Sequence, residues 1–262
     1  MSPIIALLSD FGTRDHYVGT MKGVILGICP EATLIDVTHD IPPHDVLSGA
    51  LQLGATYRYF PSGTIFLVVV DPGVGSGRKG LAVDIGDYRF VAPDNGVLTV
   101  VLRETAPRRI VELTERRYAR PTVSHTFEGR DRFAPAAAWL AKGIQLNALG
   151  RAVADCQRAD IPVAEILTDR ITGLVLLVDR FGNLVTNIDR RTFEKFAAGN
   201  RVEIVAGGTP VPRLVDTYAE IGKTEVCGLF GSTDRLEIAA QSASAAERLG
   251  LGRGSIVEVR RV

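Results

Sequence analysis

The sequence predicts an α/β protein: its N-terminal part carries a largely parallel sheet, and its smaller C-terminal part is an all-β domain of barrel or sandwich type. Over about the first 150 residues, short β-rich apolar segments alternate with helical patterns. Such alternation is typical of a parallel sheet covered by helices. After Gly150, short strand-like segments follow one another with turn residues between them, which favours antiparallel β structure.

The length of the apolar segments and the spacing of apolar residues predict the N-terminal strands and helices. Apolar segments of strand length occupy residues 4–8, 33–37, 64–70 and 89–92. Apolar residues at three-to-four spacing predict helices over residues 17–28, 45–57 and 132–142. Asp15 and Pro43 lie where the first two helices are expected to start.

The C-terminal elements are shorter and closer together. Strands are predicted at residues 171–178, 201–205, 225–230, 235–239 and 256–259. An alanine- and serine-rich segment, residues 239–246, is expected to form a loop that leads into a helical turn. We therefore predict an N-terminal domain at 1–154, a linker at 155–164 and a C-terminal domain at 165–262.

Composition and charge exclude several classes of function. The chain of 262 residues balances 30 Lys and Arg against 30 Asp and Glu, and no basic segment interleaves with aromatic residues. This argues against a nucleic-acid partner and favours a small neutral or zwitterionic ligand. The N-terminal segment reaches Asp10 after a few apolar residues, too few for a signal peptide or membrane helix.

The cysteines point to a reducing compartment. Cys29, Cys156 and Cys227 lie far apart and lack the spacing of a metal site or a disulfide framework. We interpret them as core thiols. Together with the N-terminal segment, they lead us to expect a cytoplasmic protein with no membrane partner and no bound metal.

A polar motif, SDFGTRD at residues 9–15, follows the first predicted strand and precedes a helix. Open α/β sheets bind ligands at the carboxyl ends of their strands. The Asp10 carboxylate could there accept hydrogen bonds from two ribose hydroxyls. Alternatively, Asp10 and Asp15 serve only as turn and N-cap residues.

The most informative segment is DPGVGSGR at residues 71–78, which ends an apolar strand with an acid and then supplies three glycines and an arginine. It lacks the Gly-Lys-Ser/Thr ending of a Walker loop and the GxGxxG opening of a dinucleotide-binding helix. A tightly turned loop would bring Arg78 back to Asp71, lower the pKa of that carboxyl and let the pair hold a water. The alternative is a surface turn with an incidental salt bridge.

Two further motifs lie in the N-terminal part. In SHTFEGRD, residues 124–131, a neutral His125 imidazole could accept or relay a proton from water. A structural or solvated role is the alternative for His125, as it is for the three other histidines of the chain. APDNG, residues 92–96, is explained by turn chemistry alone, although it could shape a pocket.

The C-terminal part contributes DRFGNLVTN at residues 179–187, which clusters carboxylate and amide groups able to bind an ammonium and an adenine edge. A β-turn around Gly182 with side-chain-to-backbone contacts is the alternative. The polar turn at residues 231–234 carries little information alone.

Taken in order, SDFGTRD, VVVDPGVGSGR, APDNG, SHTFEGRD and DRFGNLVTNI resemble the S-adenosyl-L-methionine hydroxide adenosyltransferases, relatives of fluorinating and chlorinating enzymes. The resemblance covers nearly the whole chain. It implies an N-terminal α/β domain and a C-terminal β-rich domain. It also implies a homotrimer whose active sites lie where one subunit's N-terminal domain meets a neighbour's C-terminal domain.

The resemblance also implies roles for individual residues. Asp71, Arg78 and His125 would position and activate water. Asp10 would hold the ribose hydroxyls, and Asn183 and Phe181 would bind the adenine by its edge and its face. The methionine part would contact Asp15, Asp179 and Ser232.

The halogenating relatives carry an aromatic residue in place of the acid at the strand end, and fluorinating members have an extra loop. This chain has Asp71 and no insertion between Gly77 and Val91. A carboxylate disfavours a neighbouring halide but can accept a proton from water. We therefore expect hydrolysis of S-adenosyl-L-methionine to adenosine and L-methionine by in-line attack of water on C5′, without a cofactor. The alternatives are a sensor that binds the ligand without turnover and a halogenase.

Overall fold

A computed structural model of the chain describes residues 2–262. The chain forms two compact units, Met1–Asp160 and Ile161–Val262. The boundary between them falls inside the segment 155–164, which the sequence predicts as a linker. Each unit has its own hydrophobic core.

The N-terminal unit is built on one seven-stranded sheet. Its strands are β1 (Ile4–Ser9), β2 (Thr33–Thr38), β3 (Ile65–Val69), β4 (Gly80–Asp84), β5 (Arg89–Pro93), β6 (Arg109–Leu113) and β7 (Gly150–Ala152). They are ordered β2-β1-β3-β5-β4-β6-β7. The first four in that order pair in parallel, and the remaining pairs are antiparallel. The predicted α/β class with a largely parallel sheet is confirmed.

Four α-helices cover the two faces of this sheet: α1 (Tyr17–Ile28), α2 (Val46–Thr56), α3 (Thr99–Glu104) and α4 (Ala134–Ala141). Strand β1 shows the three-layer arrangement. Its Ile5 and Leu7 belong to the core that contains α1 and α4 residues, whereas Ala6 and Leu8 belong to the core with α2 and α3 residues. Because successive side chains of a strand point to opposite faces, one apolar strand supplies both cores.

The structure corrects the predicted helix starts. The N-cap of α1 is His16, without a side-chain capping bond, so Asp15 does not cap this helix. Helix α2 is capped by Asp45, which accepts a hydrogen bond from the Ser48 N–H at 3.1 Å, and not at Pro43. Helix α4 is preceded by a π-helical turn, Gly129–Phe133, so the α-helix starts after the predicted residue 132.

The C-terminal unit is an antiparallel, barrel-like sheet of eight strands. They are β8 (Glu165–Ile166), β9 (Arg170–Val178), β10 (Leu184–Asp189), β11 (Val202–Ala206), β12 (Thr209–Val211), β13 (Val226–Phe230), β14 (Arg235–Ala240) and β15 (Ile256–Arg261). Seven follow the order β12-β11-β15-β9-β10-β14-β13, and β8 pairs with β9. Two short helices, α5 (Arg190–Ala197) and α6 (Ala245–Leu249), accompany the sheet. The predicted β-rich class is confirmed, although β8, β10 and β12 were not predicted.

The cysteines are free thiols. Cys29 and Cys227 are buried, as predicted for core thiols, but Cys156 is only half-buried at the edge of the core. Within residues 2–262, no helix is both long and apolar enough to cross a membrane.

Candidate functional site

The Asp71–Arg78 pair lies just beyond the carboxyl end of β3. Arg78 Nε donates to Asp71 Oδ1 at 2.8 Å, and Arg78 Nη2 donates to Asp71 Oδ2. The two side chains are only 5% and 6% exposed. The predicted ion pair is therefore present as a buried, two-pronged contact and is not a surface salt bridge. Such geometry fixes the orientation of both groups.

The loop that returns Arg78 to Asp71 is tightly turned. Ser76 Oγ donates to the Gly73 carbonyl at 2.7 Å, and the Val74 N–H donates to the Asp71 carbonyl at 3.2 Å. Gly75 adopts the left-handed region, with φ of 79°. The glycine-rich composition thus serves chain reversal, and a side chain at position 75 would be strained.

A second carboxylate shares the same guanidinium. Arg78 Nη2 also donates to Glu128 Oε2, and the Glu128 side chain is only 10% exposed. The other Glu128 oxygen lies 3.4 Å from Arg132 Nη1. Sequence reasoning missed Glu128, although it lies within the SHTFEGRD motif. Glu128 and Arg78 are fifty positions apart in the sequence, so no local sequence pattern indicates their contact.

The surroundings of Asp71 shift its proton affinity upward. Burial raises the pKa of the Asp71 carboxyl, and the negative charge of Glu128 adds to the increase. Hydrogen bonds and charge from Arg78 act in the opposite direction but do not cancel it. The expectation that Arg78 lowers the net pKa of Asp71 is therefore wrong, because desolvation outweighs the ion pair.

His125 lies beside this loop. A Cβ built on Gly75 would stand 2.4 Å from the His125 carbonyl oxygen, so the two backbones are in close contact. The His125 side chain is exposed and makes no hydrogen bond to another of residues 2–262. With Glu128 and Arg132, it lines a cleft of about 670 Å³. An imidazole in this position is free to meet a ligand or a water.

Asp131 holds the His125 segment in place. Its side chain is fully buried, and Oδ2 accepts a hydrogen bond from the Ser124 N–H at 2.9 Å. Arg130 Nε donates to Oδ1 at 2.7 Å, and Arg120 Nε lies 3.1 Å from the same oxygen. Burial alone would raise the pKa of Asp131, but these hydrogen bonds and charges outweigh it and hold the pKa below its usual value.

The SDFGTRD loop packs against the His125 segment through aromatic rings. Phe11 and Phe127 meet edge to face with ring centroids 5.9 Å apart. Asp10, directly after β1, accepts the His44 N–H on Oδ2 at 2.8 Å and keeps its second carboxylate oxygen for other partners. Asp15 is exposed. The loops that carry Asp10 and His125 are thus brought together.

In the C-terminal unit, Asp179 and Asn183 form one cluster. Asp179 Oδ1 accepts the Phe181 and Asn183 N–H groups at 2.9 and 2.8 Å, and Oδ2 accepts Asn183 Nδ2 at 2.8 Å. Gly182 has a φ of 84°, so the turn predicted as the alternative for this motif is present. The turn presents Phe181 with 77% of its surface exposed, while Asn183 is buried.

Tyr218 and Glu237 extend this cluster, and both were missed by sequence reasoning. The Tyr218 hydroxyl donates to Glu237 Oε2 at 3.2 Å and accepts from Asn183 Nδ2 at 3.4 Å. Burial raises the pKa of Glu237, and burial with the nearby Glu237 charge raises the pKa of Tyr218 to about 12. Ser232 is exposed in the turn between β13 and β14.

The described residues do not form a cluster of side chains typical of a metal site. Among residues 2–262, no group of three or more His, Cys, Asp and Glu side chains is arranged to hold a metal ion.

Comparison with known families accounts for most of the chain. The model described as the SAM hydroxide adenosyltransferase N-terminal domain matches residues 5–150. The model described as the C-terminal domain of the same family matches residues 173–258.

Relatives that align over most of this chain point to the same family. The (R)-S-adenosyl-L-methionine hydrolase of Thermus thermophilus is 38% identical over 99% of this chain and 100% of its own length. The (R)-S-adenosyl-L-methionine hydrolase of Salinispora tropica is 36% identical over 98% of each chain. A fluorinase of an Actinoplanes species is 32% identical over 85% of each.

A solved structure also resembles this fold. The crystal structure of an uncharacterized conserved protein from Thermotoga maritima superposes with a TM-score of 0.92 at 35% identity, over 98% of this chain and 100% of that chain.

Proposed function

Because this chain belongs to the SAM hydroxide adenosyltransferase family, we propose that it hydrolyses S-adenosyl-L-methionine to adenosine and L-methionine. The buried Asp71–Arg78 pair supports attack by water, because a carboxylate disfavours a neighbouring halide but can accept a proton from water. The names of the Thermus and Salinispora relatives support the same reaction.

The chemistry requires little beyond alignment and proton transfer. The sulfonium makes C5′ of the ribose electrophilic and leaves as neutral methionine. Asp71 accepts the water proton as the new C–O bond forms, while Arg78 holds the carboxylate in position and His125 completes the hydrogen bonding of the water. Attack in line with the leaving sulfur inverts C5′. We propose that no metal or organic cofactor takes part.

We propose that the substrate is bound by residues of one subunit's N-terminal domain and of a neighbour's C-terminal domain. In this proposal Asp10 binds the ribose hydroxyls with its second carboxylate oxygen, and Asn183 and Phe181 bind the adenine. Asp15, Asp179 and Ser232 contact the methionine part. Asp179 already accepts three hydrogen bonds from its own turn. An ammonium group would bind the lone pairs that its two carboxylate oxygens still have available.

We propose that the active protein is a cytoplasmic homotrimer in which residues of the N-terminal domain (1–154) and of a neighbour's C-terminal domain (165–262) complete one site. Mixing tests this arrangement directly. Asp71→Ala and Asn183→Ala variants are each expected to be inactive alone and to regain activity when unfolded, mixed and refolded together. No regained activity, with trimers confirmed by light scattering, would contradict shared sites.

The reaction itself is tested in ¹⁸O-water with chromatography and mass spectrometry. The relatives' names specify the (R) form, so the two sulfonium epimers are assayed separately. Adenosine labelled at its 5′ oxygen, with equimolar methionine, is the expected result. Intact substrate after hours would support a non-turnover sensor, and a 5′-chlorinated product in high chloride would support a halogenase.

A further inference from the structure

We propose that Glu128 is a positioning residue of the reaction: it holds the Arg78 guanidinium on Asp71 by accepting a second hydrogen bond from the nitrogen that Asp71 also contacts. The inference rests on the proposed function. Asp71 and Glu128 both accept hydrogen bonds from Arg78 Nη2, and all three side chains are at least nine-tenths buried. One arginine thus links the loop after β3 to the segment that carries His125.

Arg78 has few other restraints. Its Nη1 donates to the Lys79 carbonyl at 3.4 Å, a weak contact, and its guanidinium lies 5.1 Å from the centre of the Phe133 ring. The Phe133 ring limits movement perpendicular to the guanidinium plane. The two carboxylates limit movement within that plane. Without Glu128, Arg78 would keep only one strong partner.

The π-helical turn explains how Glu128 comes to this position. Gly129–Phe133 forms five residues of π-helix directly after Glu128 and directly before α4. Gly129 packs closely, since a Cβ there would stand 3.2 Å from Met21 Sδ and 3.3 Å from Val69 Cγ1. Such turns occur frequently at functional sites. This one places the acid against the end of β3, where Asp71 follows.

Glu128 also sets the electrostatic environment of Asp71. The charged groups around Asp71 are Arg78 from its own loop, and Glu128 with its partner Arg132 from the segment before α4. His125, from the same segment, touches the loop through its backbone. A second negative charge so close favours the protonated form of Asp71, and Arg132 moderates that effect. Glu128 therefore tunes how readily Asp71 accepts a proton.

Glu128→Gln and Glu128→Ala separate the two effects. Glutamine keeps the shape but removes the charge, so the acid limb of the pH profile of kcat should move to lower pH. Alanine also removes the hold on Arg78, so kcat should fall about a hundredfold while KM stays near the wild-type value. The matched control is Glu104→Gln, which removes a carboxylate paired with Arg58 and Tyr57 elsewhere in the same unit. It should leave the profile unchanged.

Arg132→Gln provides a second variant should Glu128→Gln fail to fold. Arg132 is 37% exposed, and its positive charge partly offsets the negative charge of Glu128. Without Arg132, Glu128 raises the pKa of Asp71 further, so the acid limb should move to higher pH. Acid limbs that coincide with wild type in both Glu128→Gln and Arg132→Gln would overturn the proposal. So would an unchanged kcat in Glu128→Ala.

A measurement without substrate separates this inference from the proposed function. The Asp71 carboxyl is titrated by ¹³C NMR in the full chain, with its resonance assigned by loss in Asp71→Asn. Its midpoint should move to lower pH in Glu128→Gln, whether or not the wild-type protein releases adenosine. A shifted midpoint in a protein that does not hydrolyse the substrate would overturn only the proposed function. An unshifted midpoint in an active enzyme would overturn only the role of Glu128.

Discussion

Gly75 lies with its α-carbon against the carbonyl oxygen of His125, so closely that a Cβ would stand 2.4 Å from that oxygen. Gly75 also has a φ of 79°, which side-chain-bearing residues rarely adopt. The contact joins the loop that holds Arg78 on Asp71 to the segment that presents His125. A single glycine thus sets the spacing between the proposed water-activating groups.

Replacing this glycine tests that spacing. Gly75→Ala should lower kcat about a hundredfold, because the added methyl group displaces the His125 backbone. It should also destabilise the protein by about 1–3 kcal/mol through backbone strain. The matched control is Gly77→Ala in the same loop, where a Cβ meets nothing within 4 Å. Steady-state kinetics and thermal unfolding measure both effects, and equal behaviour of the two variants would contradict the spacing argument.

The raised pKa of Asp71 predicts the pH dependence of the reaction. A general base must be ionised, so kcat/KM should fall as the pH is lowered through the pKa of Asp71. Since burial raises that pKa, the fall should begin above the pH of about 3.9 at which an ordinary aspartate titrates. Arg78→Met should move the residual activity's acid limb to still higher pH, because Arg78 acts to lower the pKa. An acid limb at or below the ordinary value would contradict this assignment.

Part of this site could be predicted from the sequence. Asp71 and Arg78 bracket one short glycine-rich loop, so their contact is local and follows from chain reversal. Glu128 and Glu237 were missed because their partners lie on other segments, and only the tertiary fold brings them together. The pKa of Asp71 differs from the predicted direction, because the degree of burial cannot be inferred from an acid and an arginine seven positions apart.

Strand β10 shows why some elements were also missed. Its Thr186 and Asn187 are polar yet buried, which hides the apolar pattern of a strand. Thr186 Oγ1 donates to the Leu236 carbonyl at 2.7 Å, and Asn187 Oδ1 accepts the Leu174 N–H at 2.8 Å. Both side chains are therefore satisfied inside the sheet, at the irregular register between β9 and β10. The sequence alone presents them as a polar ligand-binding motif.

Asp131 should make a large contribution to stability at neutral pH. It is a buried carboxylate bonded to Arg130 and to the Ser124 N–H, so Asp131→Asn should lower the free energy of unfolding by about 3 kcal/mol. Because its folded-state pKa is lowered, its stabilisation is complete above the unfolded pKa of about 3.9 and is lost as the pH falls through the folded value.

Urea unfolding at pH 7 and at a series of acidic pH values checks the Asp131 prediction. The wild-type protein should lose stability as the pH falls below about 4, and Asp131→Asn should lose less over the same range. Asp155→Asn is the control, because the Asp155 side chain is 77% exposed and its contact with Arg158 contributes little. Parallel pH curves for wild type and Asp131→Asn would refute the assignment.

The Tyr218 hydroxyl links Asn183 to Glu237, and its removal should weaken ligand binding without affecting the proposed water-activating groups. In Tyr218→Phe, Asn183 Nδ2 loses a contact at 3.4 Å, and the buried Glu237 carboxylate loses its hydrogen bond at 3.2 Å. The Asn183 amide then has only Asp179 to fix its direction. A hydrogen bond of ordinary strength is worth about 1 kcal/mol, so adenosine should bind about fivefold to tenfold more weakly.

Isothermal titration with adenosine measures this loss directly. Tyr59→Phe is the matched control, because Tyr59 is 75% exposed in the other unit and should leave the affinity unchanged. In steady-state assays Tyr218→Phe should raise KM more than it lowers kcat, since uniform binding is removed and the reacting groups are intact. A loss confined to kcat would instead place Tyr218 among the groups that act in the transition state. An unchanged affinity would separate the Tyr218–Glu237 pair from the proposed adenine site.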